Sequence, residues 1–207
     1  MNYDKICQIL LIGDSSVGKT SLIQRYVNGI FKDERDVYLP TVGLDFYTKY
    51  EIINNMNVEV RLWDTAGQER FKSLTPNYFK NAEGVIITYD ITSSQSFENL
   101  KFWINSIKTN LGEKNIIIPI IIVGNKLDME DMRDITREEA EKFAKENKYK
   151  YFETSAKTGE GVDDAIRDLV NQVLEKSEQF EEERNERKSI KINSDQPEDN
   201  VKKKGCC

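Results

Sequence analysis

The segment from Gly13 to Thr20 restricts what this chain can fold into more than any other. It reads Gly-Asp-Ser-Ser-Val-Gly-Lys-Thr, matches G-x-x-x-x-G-K-[ST], and joins the apolar run Ile6–Ile12 to the helical pattern Thr20–Val27. In that context the glycines let backbone N–H groups surround a phosphate, and Lys19 adds a point charge. The alternative, a glycine turn before an ordinary helix, does not account for the strand that precedes it. Thr20 is also an expected Mg²⁺ ligand. The residues assigned to this predicted site are Asp14, Ser15, Ser16, Val17, Gly18, Lys19, Thr20 and Ser21.

Composition narrows the classes of protein that fit. A chain of 207 residues suits one medium-sized domain, and its net charge of −6 does not favour a nucleic acid partner. Three cysteines do not form the even framework of a disulfide-rich secreted domain, and the N-terminus does not resemble a signal peptide. The chain has no histidine, which excludes hydrolases that depend on a histidine base or a histidine-ligated metal.

Strand and helix patterns alternate along the chain. Such alternation predicts an α/β domain with a mostly parallel sheet and right-handed crossovers. The segment Asn54–Asn57 is prone to turn and lies between two strand patterns, which predicts a hairpin with one antiparallel edge strand. Thr136-Arg137-Glu138-Glu139 predicts a capping box. The predicted strands are Ile6–Ile12, Phe46–Ile53, Val58–Trp63, Val85–Tyr89 and Ile116–Val123, and the predicted helices are Thr20–Val27, Ser96–Leu111, Thr136–Asn147 and Val162–Leu174.

The pattern changes near residue 176. From Ser177 the chain is rich in glutamate and then in Asn, Ser, Asp and Pro, with little apolar surface to offset the entropy of ordering. The sequence therefore predicts a folded domain over residues 1–176 and a flexible tail over residues 177–207.

Asn125-Lys126-Leu127-Asp128 follows the last buried strand pattern and indicates which base is bound. A carboxylate at Asp128 can accept hydrogen bonds from N1–H and the exocyclic amine of guanine, whereas adenine has no such pair of donors. Alone the segment is common in loops. Together with Gly13–Thr20, the predicted phosphate-binding segment, Asn125–Asp128 favours a guanine nucleotide over the ATP of an ATPase or phosphotransferase.

These two motifs resemble those of small GTPases of the Ras superfamily, over roughly residues 5–176. The resemblance implies a P-loop GTPase fold, a six-stranded sheet with helices on both faces, bound GTP or GDP, and Mg²⁺ as cofactor. The segment Trp63–Glu69 resembles the metal-binding and catalytic segment of the family. By that resemblance Asp64 supports Mg²⁺, Gly67 contacts the γ-phosphate and Gln68 orients the attacking water.

The resemblance also implies further nucleotide contacts. Thr41 matches the switch threonine that reaches Mg²⁺ only when the γ-phosphate is present, and Tyr38 matches the switch tyrosine. Ser155, Ala156 and Lys157 match the last base-contacting loop. Two residues are expected to flank the guanine ring, Phe31 and Lys126, although an aromatic residue at 31 could equally belong to the core.

Four further segments resemble the Rab branch: Val42–Phe46, Arg70–Thr75, Tyr78–Ala82 and Thr88–Thr92. This similarity implies a switch that regulates vesicle trafficking and an apolar patch that effectors contact. Each aromatic residue of that patch could instead be part of the core. A Ras-like or Rho-like signalling GTPase and a GTP-locked scaffold that hydrolyses weakly are the alternatives. The expected effector contacts are Leu44, Phe46, Trp63, Phe71 and Tyr78.

Cys206 and Cys207 end the sequence without a C-a-a-X box and resemble the double geranylgeranylation site of Rab proteins. Two lipid chains give stable anchoring where one is marginal. The expected location is the cytoplasmic face of intracellular membranes, in exchange with the cytosol. The expected partners are an exchange factor, a GTPase-activating protein, a GDP-dissociation inhibitor, an escort protein with a geranylgeranyl transferase, and effectors.

The segment from Phe31 to Thr41 is a few residues longer than is usual in the family. Arg35 lies within it among other charged residues, and we expect it to be a solvated charge rather than a catalytic arginine. We therefore expect slow intrinsic hydrolysis that depends on an activating protein.

Overall fold

The computed structural model describes residues 3–31, 44–65, 79, 81–111 and 118–194. The chain enters through strand β1 (Lys5–Ile12) and then forms helix α1 (Lys19–Asn28). A hairpin follows, made of β2 (Leu44–Ile53) and β3 (Met56–Thr65). Its turn residues Asn54 and Asn55 have φ of 52° and 63°, the left-handed conformation that asparagine tolerates best after glycine.

The second half of the described chain alternates between strand and helix. Thr136 caps one of these helices by accepting from the Glu139 N–H while the Glu139 carboxylate accepts from the Thr136 N–H, which confirms the predicted capping box. The elements are β4 (Gly84–Asp90), α2 (Ser94–Glu98), α3 (Leu100–Leu111), β5 (Ile120–Asn125), a 3₁₀ helix (Leu127–Met132), α4 (Arg137–Glu146), β6 (Lys150–Thr154) and α5 (Val162–Ser194).

Six strands of the described residues form one sheet in the order β2-β3-β1-β4-β5-β6. The pair β2 and β3 is antiparallel and every other pair is parallel. Every residue of β4 and β5 is buried, as expected for parallel strands covered on both faces. The predicted sheet, with one antiparallel edge strand, is confirmed.

Alternate residues of β1 face two different cores. Cys7, Ile9 and Leu11 pack with α1 and the first part of α5, whereas Leu10 and Ile12 pack with α3 and α4. Helices therefore cover both faces of the sheet, which confirms the predicted layers. The carboxyl ends of the parallel strands β1, β5 and β6 lie at the same edge of the sheet, and the loops that follow them carry the candidate site.

Some element boundaries differ from the predicted ones. The helix predicted from Ser96 divides at Asn99, but its hydrogen bonds continue across the division, from Asn99 N to Gln95 O and from Trp103 N to Asn99 O. Helix α5 continues beyond its predicted end at Leu174 as far as Ser194. Residues between these two are rich in Glu, Gln, Lys and Arg and lack Gly and Pro, a composition that favours a helix.

The chain divides into two compact units, Met1–Leu174 and Glu175–Cys207. The flexible tail proposed for residues 177–207 stays a prediction, and residues 195–207 lie outside the described ones. Among the described residues, no helix combines the length and the apolar character that crossing a membrane requires.

A cluster of charged residues joins β2 to α1 and to the beginning of α5. The Glu51 carboxylate accepts from Tyr26 Oη at 3.0 Å and from Arg167 Nη2 at 3.1 Å, and Lys49 Nζ lies 2.9 Å from it. Burial alone would raise the pKa of Glu51, but these three donors outweigh it and lower the pKa to about 2. The edge strand β2 is therefore held by a carboxylate that stays ionised in mildly acidic solution.

Candidate nucleotide-binding site

The phosphate-binding segment lies between the end of β1 and the first turn of α1, as predicted. Three of its residues, Gly13, Ser16 and Gly18, have positive φ values of 143°, 63° and 94°. A Cβ atom on Gly13 would lie 2.1 Å from the Thr88 carbonyl oxygen, so a side chain there would collide with β4. The sequence requires glycine because the loop passes directly against the neighbouring strand.

Lys19 is held inside this loop by two main-chain oxygens. Its side chain is 5% exposed, and Nζ donates to Gly13 O at 2.9 Å and to Asp14 O at 2.7 Å. Burial lowers the pKa of Lys19 to about 8, although the carboxylates of Asp64 and Asp14 act in the opposite direction. The ammonium group has three N–H donors, so one can still donate to a phosphate oxygen.

Thr20 and Asp64 lie together where a metal ion is expected. Thr20 Oγ1 donates to Asp64 Oδ2 at 2.6 Å, and the Asp64 side chain is 1% exposed near the end of β3. Hydroxyl and carboxylate oxygens suit Mg²⁺, which commonly takes one or two protein ligands and completes its shell with phosphate oxygens and water. No group of three or more carboxylate or thiolate residues that could hold a metal was found in the described part of the chain. The pair therefore fits a Mg²⁺ ion that shares the phosphates of a nucleotide. The third expected ligand, Thr41, is outside the described residues.

Asn125 joins the phosphate-binding segment to the loops expected to contact the base. Its Nδ2 donates to Val17 O at 2.9 Å, and its Oδ1 accepts from Ala156 N and from Thr154 Oγ1, both at 3.2 Å. A Cβ atom on Gly18 would lie 2.3 Å from Asn125 Nδ2. The three hydrogen bonds of this amide therefore reach the phosphate-binding segment, the loop at Ala156 and the end of β6.

Asp128 is oriented by the loop that follows β6. Ser155 Oγ donates to Asp128 Oδ1 at 2.6 Å, and Lys157 Nζ lies 3.7 Å from Oδ2. The Asp128 side chain is 13% exposed, so its neighbours cover most of it and leave a small part open. Lys126 pairs with Asp90 at 2.6 Å, which fixes the side chain that is expected to flank the base. The arrangement presents an oriented carboxylate at the loop that Asn125 joins to the phosphate-binding segment.

Comparison with known proteins agrees with this geometry. The model of the Ras family matches residues 8–175. Ras-related protein Rab-13 of Rattus norvegicus is 43% identical over 175 residues, covering 84% of this chain and 83% of the relative. The chain belongs to the Rab family of small GTPases. Members of this family are GTP hydrolases, and this Rab protein is one of them.

Two other relatives show how far the similarity extends. Ras-related protein Rab-18 of Caenorhabditis briggsae is 42% identical over 177 residues, covering 86% of this chain and 85% of the relative. Ras-related protein Rab-10 of Caenorhabditis elegans is 36% identical over 205 residues, covering 99% of this chain and 98% of the relative. Rab proteins act in membrane trafficking, which gives the coarse function of this one.

Arg25 is a residue of the site that sequence reasoning missed. From α1 its guanidinium group donates to Ala156 O at 2.8 Å, to Lys157 O at 2.5 Å and to Gly29 O at 2.7 Å. In this Rab protein it thereby ties to α1 the loop at Ala156 and Lys157 that is expected to contact the base. The sequence carries one signal, a basic residue in the last turn of a helix, but it does not identify the partners.

Two predicted residues have side chains that face elsewhere. The Asp14 carboxylate accepts from Asn99, which precedes α3, and from Trp103 on α3. The predicted nucleotide contact of Asp14 can therefore come only from its main chain. The Val17 side chain is buried. Phe31 is half-buried and packs against the core formed with α1 and α5, so the structure leaves both interpretations of this ring in place.

The predicted effector patch is described only in part. Phe46 is 53% exposed, and its ring centroid lies 5.2 Å from that of Trp63 on the neighbouring strand. Leu44 begins β2. Outside the described residues lie Tyr38, Thr41, Gly67, Gln68, Phe71, Tyr78, Cys206 and Cys207.

Proposed function

We propose that this Rab protein binds GDP and GTP together with Mg²⁺, hydrolyses GTP, and acts as a GTP/GDP switch in vesicle trafficking. The observation that carries the proposal is the bonding of Asn125 to both the phosphate-binding segment and the loop at Ala156. It holds the groups that fit a phosphate and those that fit a base at one end of the sheet.

Base selectivity rests on Asp128 in this proposal. Its carboxylate is an acceptor-only group, held by Ser155 and faced by Lys157. Guanine offers two adjacent donors to such a group, and adenine would leave a partly buried carboxylate without them. Sites that read a polar edge in this way can reject an analogue by about 10⁴-fold or more. The main-chain N–H of Ala156 and the stem of Lys126 are proposed to contact the same base.

The proposed phosphate contacts are the backbone of residues 14–21 and the Lys19 ammonium group. A Mg²⁺ ion held in this site would supply positive charge that offsets the negative charge of phosphoryl transfer. Thr20 and Asp64 are the described residues proposed to hold it. The proposed roles of Thr41, Gly67 and Gln68 rest on the family resemblance, with Gln68 as the residue that positions water.

Membrane attachment and partners complete the proposal. We infer that Cys206 and Cys207 carry two geranylgeranyl groups and that the protein cycles between intracellular membranes and the cytosol. Phe46, which is 53% exposed and lies next to the partly buried ring of Trp63, supports an effector surface that includes the exposed end of β2. The other proposed partners are an exchange factor, an activating protein, a GDP-dissociation inhibitor, and the escort protein with its transferase.

The decisive experiment is competition against a fluorescent GDP analogue in the presence of Mg²⁺. We expect GTP and GDP to displace it, and ATP to require a concentration at least about 10⁴ times higher. Asp128→Asn should weaken GDP binding and improve binding of xanthosine diphosphate, because the amide presents a donor to the carbonyl that replaces the guanine amine. Glu130→Gln, on the same 3₁₀ helix and paired with Arg133, is the matched control. Equal displacement by ATP and GTP would overturn the proposal.

A further inference from the structure

Asp14 takes part in two sets of contacts at the start of the phosphate-binding segment. Its main-chain oxygen accepts from Lys19 Nζ at 2.7 Å. Its carboxylate accepts from Asn99 Nδ2 at 2.6 Å and from Trp103 Nε1 at 2.8 Å. One residue therefore connects the buried lysine to two donors that lie 85 and 89 positions further along the chain.

The two donors are arranged as a pair. Asn99 precedes α3 and Trp103 lies one helical turn further on, with the Trp103 N–H donating to Asn99 O at 3.1 Å. Both side chains therefore lie on the same face of the helix. Trp103 also packs against the core beneath α3, which limits the directions in which its indole can point. The indole N–H and the amide are neutral donors, and each meets one oxygen of an acceptor-only carboxylate.

This pairing has a consequence for Lys19. The position of the ammonium group depends on the direction of the Asp14 carbonyl, because Lys19 Nζ donates to that oxygen at 2.7 Å. If the carboxylate lost its two donors, the peptide of Asp14 would have no side-chain restraint from α3. The carbonyl that aims Lys19 would then sample other directions.

We propose that Asn99 and Trp103 are positioning residues for the phosphate-binding segment. They fix Asp14, and Asp14 in turn aims the Lys19 ammonium group at the phosphates. The inference rests on the proposed function, since it concerns how the same site holds GDP. It adds α3 to the elements that determine how long the nucleotide stays bound.

The test measures release of a fluorescent GDP analogue from the full chain in Mg²⁺-containing buffer. Trp103→Phe keeps an aromatic ring and removes the donor, and Asn99→Ala removes the amide. Each should accelerate release about tenfold, because each deletes a hydrogen bond to a charged acceptor. Asn110→Ala is the control, since that amide lies on α3 but donates to Ser106 O within the same helix. It should change release by less than about twofold.

A charge exchange separates positioning from general packing. Asn99→Asp alone sets two carboxylates against each other and should accelerate release more than Asn99→Ala does. In the double variant with Asp14→Asn, the new amide at position 14 can donate to the new carboxylate at position 99, which reverses the parent hydrogen bond. Release should then return to within about threefold of the parent rate. A packing role for residue 99 predicts no such recovery.

The outcomes distinguish the two proposals. A parent protein that does not bind the GDP analogue refutes the proposed function and, with it, this inference. A parent that binds the analogue while Trp103→Phe and Asn99→Ala release it at the parent rate refutes the inference alone. Circular dichroism of each variant shows whether it is folded. Should Trp103→Phe fail to fold, the charge exchange at 14 and 99 decides, and absence of recovery there refutes the inference.

Discussion

Replacing Arg25 with methionine tests whether α1 holds in place the loop that we propose contacts the base. The substitution keeps the length of the apolar stem and removes a guanidinium group that donates to the carbonyl oxygens of Ala156, Lys157 and Gly29. Two of these oxygens belong to the loop proposed to contact guanine. The third belongs to the residue that ends α1.

The size of the effect follows from how deeply these contacts are buried. Hydrogen bonds from a charged donor contribute roughly 1.5–3 kcal/mol when well buried. Arg25 is half-buried, so we take about 1 kcal/mol for each of its two contacts to the loop, or about 2 kcal/mol together. That corresponds to about a 30-fold increase in the Kd for GDP. Loss of the contact to Gly29 O should lower the free energy of unfolding of the nucleotide-free protein.

The assay is competition binding of GDP, with thermal unfolding measured in parallel without nucleotide. Arg167→Met is the matched control, because Arg167 is an exposed arginine that pairs with Glu51 at 3.1 Å away from the nucleotide loops. The Kd of Arg167→Met for GDP should stay within about twofold of the parent, since its partner Glu51 lies on β2 and not on a loop proposed to contact the nucleotide. If Arg25→Met lowers the unfolding midpoint but leaves the Kd for GDP unchanged, Arg25 is only a structural cap and the reasoning is wrong.

Three further predictions follow from the site, the sequence and the charged cluster on β2. Gln68→Leu should slow single-turnover GTP hydrolysis by at least about 10-fold with GTP affinity retained, and equal turnover would remove Gln68 from its proposed role. Replacing both Cys206 and Cys207 with serine should move the protein from membranes to the cytosol in fractionated cells, whereas retention on membranes would show another anchor. The pKa of Glu51 in the folded protein, about 2, lies below the value of about 4.3 expected in the unfolded chain. Its carboxylate therefore stabilises the fold fully above about pH 5, and this contribution is lost as the pH falls toward 2. The thermal unfolding midpoint of Glu51→Gln should therefore fall less than that of the parent between about pH 5 and pH 3. Equal pH dependence in the two proteins would contradict the low pKa of Glu51.

Local patterns predicted those parts of the molecule whose geometry depends on neighbouring residues. The strand, glycine loop and helix around Lys19 form a continuous segment, and the structure has them as predicted. The hairpin at Asn54 and the capping box at Thr136 are also short-range features. In each case the determining contacts lie within a few residues of one another.

Side-chain pairs distant in sequence could not be predicted in the same way. Arg25 meets Ala156 across 131 positions, and Asp14 meets Trp103 across 89. No spacing rule connects such residues, because their contact depends on how α1 and α3 pack on the sheet. The continuation of α5 beyond Leu174 was not predicted for a different reason. Scarcity of apolar residues after Ser177 argues against burial, but it does not argue against a helix of Glu, Lys and Arg.

The two motifs that identified the site are one structural unit. Gly18 has a left-handed φ of 94°, which already favours glycine, but Asn125 Nδ2 would also lie 2.3 Å from any Cβ placed there. The same Nδ2 donates to Val17 O, 108 residues away in sequence. A side chain at position 18 would therefore displace the amide that also holds Ala156 N. The second glycine of the phosphate motif therefore also meets a steric requirement set by Asn125, so the two motifs are coupled through side-chain contact in the folded chain.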